Sequence, residues 1–349
     1  PLISPPWISI TAAGFSPICQ RKISKATKET KSPNNIKERM EVSSGNTNQV
    51  QDAENRPKVN ALNVLNLVAY IINIVITFGL GTLGWAGNPT NQELSLKYQT
   101  IITPASRAFS IWAVIFIFQA IFVVVQFLPR FRGLPMVQQG VGYWYIGTCV
   151  TQAGWTFAFA FEVLSLSLVF MLLIWGSLAV ILYKQYRTES DGTFWEFWLL
   201  RFPFAVHCGW ITAASALNVN VLVVDSSAST GVELAVGIVC LAVLHAVAVF
   251  ILTVPRRPNY TIPCVLSWAN GWIYYELKNA SDPIKERFSE ESILGVRYAA
   301  VTVAFIILAQ VLIRAAVAIA QSFKNERPSG EDDATNEEND MDADITPKS

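Results

Sequence analysis

Two stretches of this 349-residue sequence, Ala108–Leu128 and Val163–Tyr183, each run 21 residues without a charge. About 20 apolar residues in a helix cross the ~30 Å hydrocarbon core of a bilayer. Inside that core the backbone must satisfy its own N–H and C=O groups, so such runs are read as transmembrane helices. Buried helices of a large soluble protein are the rival reading. The length and number of the runs count against it. Eight spans are expected, at 60–83, 103–128, 142–161, 163–186, 200–224, 232–254, 259–277 and 292–320, with Glu162 marking the tight turn between the third and fourth. The expected fold is therefore an all-α polytopic transmembrane bundle.

Charge is scarce and placed between the runs. Only 15% of residues are charged, where a soluble domain has about a quarter. In alternate loops, one side carries Arg56, Lys58, Arg130, Arg132, Lys184, Arg187, Arg256, Arg257, Lys324 and Arg327. The other carries Lys97, Lys278, Lys285 and Arg287, the last three among Asp282, Glu286, Glu290 and Glu291. The excess of cations places both termini on the cytoplasmic side, which requires an even number of spans. Net charge is zero, and the basic residues lack interleaved aromatics, so no nucleic-acid partner is expected.

Residues 1–58 are polar and unpatterned and are expected to be a disordered tail. SPICQRKISKATKETK within it faintly resembles an organelle transit peptide. Glu29 and Glu38 favour a soluble tail, or sequence upstream of a start at Met40. Residues 323–349 are expected to form an acidic solvated tail. Cys19, Cys149, Cys208, Cys240 and Cys264 are scattered, without CxxC or metal spacing. No metal site, triad, phosphate loop or two-half transporter repeat is evident, and no enzymatic activity is expected.

Three spans carry aromatic stripes. In TIITPASRAFSIW, Thr103 is expected to cap a helix begun by Pro104, with Arg107 snorkelling one turn in. Phe109, Trp112, Phe116 and Gln119 follow at helical spacing. In the third span Thr148, Gln152, Trp155 and Phe159 share a face. In the fifth, begun by Pro203, Trp210, Ala214, Leu217 and Asn218 fall within about 100°. Each stripe alone reads as a bundle interface. Three together suit a cavity for a large apolar ligand oriented by a few polar groups. Asn66 and Asn73 are expected to bond between helices. His207 and His245 are lone membrane histidines, read as packing groups before haem ligands. Arg297 and Arg314 are expected to snorkel or to meet a partner, Glu162 among the options. Val180, Tyr183 and Arg187 fit a proposed cholesterol motif that many helix ends match.

The pattern over 60–224 resembles the translocator protein/tryptophan-rich sensory protein family (TspO/MBR). It does so in Pro104, Phe109 and Trp112; in Gln152, Trp155, Phe157 and Phe159; in LSLSLVFMLLIW ending at Trp175; and in WITAASALN from Trp210 through Ala214 and Leu217 to Asn218. The departures are Arg107 where the family often has a nearby Trp, Gln152 for Asn, and three further spans over 232–320. The resemblance implies a five-helix core over 59–224 plus three helices over 225–322, in a divergent longer branch. It implies a sensor or binding protein for a planar hydrophobic ligand, tetrapyrrole (porphyrin or haem) first and sterol or lipid second. The ligand-binding residues would be Phe109, Trp112, Gln152, Trp155, Phe159, Trp210, Ala214, Leu217 and Asn218, with 84–102 as a lid. No cofactor is required. A transporter and a purely structural subunit are the alternatives, and a homodimer is compatible with each.

Overall fold

The computed structural model describes residues 58–325. The two tail expectations fall almost wholly outside those residues. Among them every regular element is helical. The chain folds into α1 (Ala61–Thr82), α2 (Asn91–Lys97), α3 (Ser106–Val125), α4 (Trp144–Ala160), α5 (Leu164–Arg187), α6 (Phe194–Asp225), α7 (Thr230–Thr253), α8 (Thr261–Lys278), α9 (Asp282–Arg287) and α10 (Glu290–Asn325). Six of these (α1, α3, α5, α6, α7 and α10) are long and apolar enough to cross a bilayer. The shorter α4 and α8, of 17 and 18 residues, pack among them. All eight expected spans are helices.

Loop contacts sort by end of the bundle. Lys97, before α3, meets Glu162 between α4 and α5. Gln99 meets Glu276, Ser281 and Arg287 near the end of α8, and Arg287 meets Glu233 at the start of α7. At the other end Asn60 bonds Gln138, between α3 and α4, and the N–H of Arg256, after α7, bonds the Tyr186 hydroxyl near the end of α5. Alternate loops therefore gather at opposite ends, as eight successive crossings require. The outer faces are apolar: only 22% of the most apolar stretch of α7 and 17% of that of α10 is buried within the chain. Side chains such as Phe250, Phe305 and Leu312 stand exposed there. A surface so apolar is tolerable against lipid and not against water.

Polar residues inside the bundle are mostly paired. The Gln126 amide accepts from Asn66 (3.2 Å) and donates to the Asn63 carbonyl (3.2 Å), joining α3's C-terminus to α1. Phe122, Tyr145 and Phe204, from α3, α4 and α6, meet edge to face with centroids 4.9–5.7 Å apart. Arg314 donates to the Leu252 carbonyl (2.9 Å), and Arg297 lies over the Tyr274 and Tyr298 rings. Neither meets Glu162, whose partners are Lys97 and Tyr98.

Two helix starts differ from expectation. Thr103 does not cap α3. Its hydroxyl accepts from Thr100 N–H (2.8 Å), and the chain stays extended through Ala105, whose N–H donates to the Trp272 carbonyl on α8. Docking on another helix thus delays the start to Ser106. Pro203 lies in the first turn of the regular α-helical part of α6, Phe202–Asp225, as expected, but α6 is extended backward to Phe194 under a Thr193 cap. A π-helical turn, Phe197–Arg201, leads into the proline, and such wide turns absorb the i→i−4 bond that proline cannot make.

Candidate functional site

Between α1, α3, α4, α5 and α6 lies a cavity of about 720 Å³, within the ~300–1,000 Å³ usual for small-molecule sites. Trp112, Trp155 and Trp210 all line it, from three different helices. Their sequence spacing explains the convergence: each stripe runs i, i+3/i+4, i+7 along one face, and close packing of the helices turns those faces together. Phe109, Phe159, Ala214, Leu217 and Asn218 also line the space. Eight of the nine residues singled out from the sequence are thus brought to one cavity.

The ninth, Gln152, is fully buried but is not part of the lining. Its carbonyl accepts from Thr156, which meets Thr77 of α1. Gln152 lies one turn from Trp155, yet only Trp155 reaches the wall. Sharing a face at the resolution of a helical wheel did not distinguish the two. Its side-chain amide has no partner among the described residues.

The rings are held by one another. Trp112 stacks on Phe116 (5.6 Å, 22°) and Trp155 on Phe159 (5.2 Å, 13°). Trp210 meets Phe109 and Trp112 edge on, at 5.6 and 6.3 Å. Behind Trp112 lies a buried polar cluster in which Tyr145 donates to the Gln119 carbonyl oxygen (3.3 Å) and the Gln119 amide donates to His207 Nδ1 (2.8 Å). That bond assigns the proton to His207 Nε2. Neither His207 nor His245 lines the cavity, so a haem held there would find no imidazole ligand from the wall.

Polar groups are few and directional. The Trp155 and Trp210 indole N–H groups are buried without partners among the described residues. Asn218 accepts from Ser167 through Oδ1 (2.8 Å), which leaves its amide N–H groups for the cavity side. Segment 84–102 contributes Thr90, Asn91, Gln92, Ser95 and Leu96 to the lining. Helix α2 within it is closed by a Thr90–Glu93 capping box. It is tethered at its end by Lys97 and Tyr98 to Glu162. Glu162 has φ +59°, a left-handed conformation costly for a non-glycine residue. The tight α4–α5 turn requires it. These bonds hold the Glu162 carboxyl below its ordinary range, Lys97 first and Tyr98 second.

Several lining residues were not singled out from the sequence: Tyr70, Met171, Gln99 and Glu276. Glu276 sits in the last turn of α8, where a charged residue is ordinary. Gln99 lies in an unpatterned loop. No periodicity marks either. A family model described as TSPO-like protein matches residues 63–316, so it runs through the last three spans as well as the first five. No curated protein and no solved structure matches the chain.

Proposed function

This chain belongs to the TSPO-like protein family, and we propose that it binds a hydrophobic planar ligand in the aromatic cavity, as a sensor or binding protein. It is an integral, multi-pass membrane protein in contact with lipid. The observation that carries the ligand reading is the convergence of three indoles on one ~720 Å³ space that side chains leave unfilled. Close packing is the norm in protein interiors, and a hollow of this size forfeits dispersion contacts along its whole wall. Flat aromatic surfaces would recover those contacts against a flat ligand. The Trp155 and Trp210 N–H groups and the Asn218 amide would meet acceptors on the ligand's edge. Tetrapyrroles and sterols are the two classes the family resemblance brings. The excess of loop cations supports a reading with both termini on the cytoplasmic side and the α2 segment on the opposite side.

The test is titration of the purified chain with protoporphyrin and with a sterol, followed by tryptophan quenching, in wild type, Trp112→Leu and Trp210→Leu. Saturable quenching that weakens in both variants is expected. Quenching that is linear, or equal in all three proteins, would leave the rings as helix contacts only.

A further inference from the structure

The cavity wall is one-sided in charge. Among the described residues its lining holds a single carboxylate, Glu276, and no Lys, Arg or His. Glu276 lies in the last turn of α8. One oxygen, Oε1, accepts from Gln99 Nε2 (3.0 Å). The other has no hydrogen-bond partner among the described residues, and no cation lies within ion-pair distance of the carboxylate.

Its neighbours explain why it stays unpaired. The nearby guanidinium, Arg287, is taken by Glu233 and by the Gln99 carbonyl (2.9 Å). Gln99 is itself held by Ser281, which donates to its Oε1 (2.5 Å). Gln99 therefore meets one carboxylate, Glu276, and one guanidinium, Arg287, and that guanidinium sits on Glu233. Lys97 is engaged with Glu162, Lys285 lies beside Asp282, and Lys278 is exposed. The arrangement leaves one negative charge on the wall of a cavity whose other described lining residues are aromatic, aliphatic or uncharged polar groups.

A partly desolvated carboxylate is costly unless a cation meets it, and aromatic faces attract cations through their ring quadrupoles. From these facts we infer that the ligand of this cavity is a planar amphiphile bearing a cationic edge, such as a protonated amine, which pairs with Glu276 while its apolar body lies between the indoles. This rests on the cavity being a ligand site, as proposed above, and favours a cationic ligand over the carboxylate-bearing tetrapyrroles considered there. A ligand carrying carboxylates, as propionate-bearing tetrapyrroles do, would bring like charge to Glu276 with no lining cation to meet it. An uncharged sterol could donate its hydroxyl to the free carboxylate oxygen but would bring no positive charge to it.

The full chain, in nanodiscs of zwitterionic phosphatidylcholine, is titrated with three planar three-ring probes of one shape: an aminoacridinium cation, uncharged anthracene and anthracene carboxylate. Tryptophan quenching is the readout, and lipid-only discs give the partition background. Wild type is expected to bind the cation about tenfold or more tighter than anthracene, and the anion weakest, as a charge-assisted hydrogen bond implies. Glu276→Gln retains an oxygen to accept from Gln99. It should lose the cation's advantage while keeping the affinity for anthracene. Equal affinities in wild type, a preference for the anion, or a cation preference that survives in Glu276→Gln would each overturn the inference while leaving the cavity standing. Absence of saturable quenching by all three probes would remove the cavity reading and this inference with it. The wild-type charge series decides the matter even if the variant fails to fold.

Discussion

Gly209→Ala is a sharp test of how α6 and α8 hold the site. A Cβ at Gly209 would stand 2.9 Å from Val265 Cβ, and 3.2 Å from Ile262 Cα and Val265 Cγ1. Comfortable carbon contacts lie at about 3.5–4.0 Å, so the deficit is roughly 0.3–1 Å. The two nearest atoms are a Cβ and a Cα of α8, so relief requires the helix itself to move. Overpacking of this kind costs about 1–3 kcal/mol, against about 1 kcal/mol gained from alanine's helix propensity. Gly271→Ala, on α8 itself, meets nothing within 4 Å and should show only the gain. The two variants should therefore differ by about 1–3 kcal/mol, on the order of 2–12 °C in Tm for a chain of this size. Thermal unfolding of both in one detergent reads the difference. Gly209→Ala should melt below wild type and below Gly271→Ala. It should also weaken quenching by cavity ligands, because Trp210 is the next residue. A Gly209→Ala Tm equal to that of Gly271→Ala would refute close approach of the two helices at this point.

Other substitutions probe separate parts of the bundle. Phe122→Ala empties a fully buried site between Tyr145 and Phe204; a loss of about 3–5 kcal/mol is expected, read from denaturation midpoints. Gln119→Leu strips His207 Nδ1 and the Tyr145 hydroxyl of their shared partner, and should cost about 1–3 kcal/mol in the same assay. The Glu162 carboxyl is held below its ordinary value of 4.5 by Lys97 and Tyr98. A depressed folded value means that its stabilisation of the α2 tether is fully present above 4.5 and is lost as pH falls through the lower, folded value. Hydrogen exchange across Asn91–Lys97, corrected for intrinsic rates, should accelerate over that acid range in wild type. In Glu162→Gln it should already be fast and flat; an unchanged profile in the variant would remove the tether.

What could be read from residue order was set by short-range physics. The bilayer demands long uncharged helices, so the eight long helices, six of them long and apolar enough to cross, were visible in outline. The aromatic stripes were visible because residues three, four and seven apart share a face. That rule brought Trp112, Trp155 and Trp210 to attention without any partner being known. Where it failed, the cause lay in another helix. Thr103 and Pro104 were diverted by Trp272, and the helix before Pro203 was extended by a π-turn. Gln152 shares its stripe with Trp155 but is buried away from the cavity wall.

Sequence alone determined the class of solvent this chain folds in, the approximate places of its eight long helices, and which rings could share a hollow. Only tertiary structure decided that the hollow is open, that Gln152 stands outside it, and that Glu276 stands within. The Gln99–Glu276 bond joins residues 177 positions apart. Periodicity carries no information over such a span, because it reports what one helix presents and never what a distant one brings to meet it.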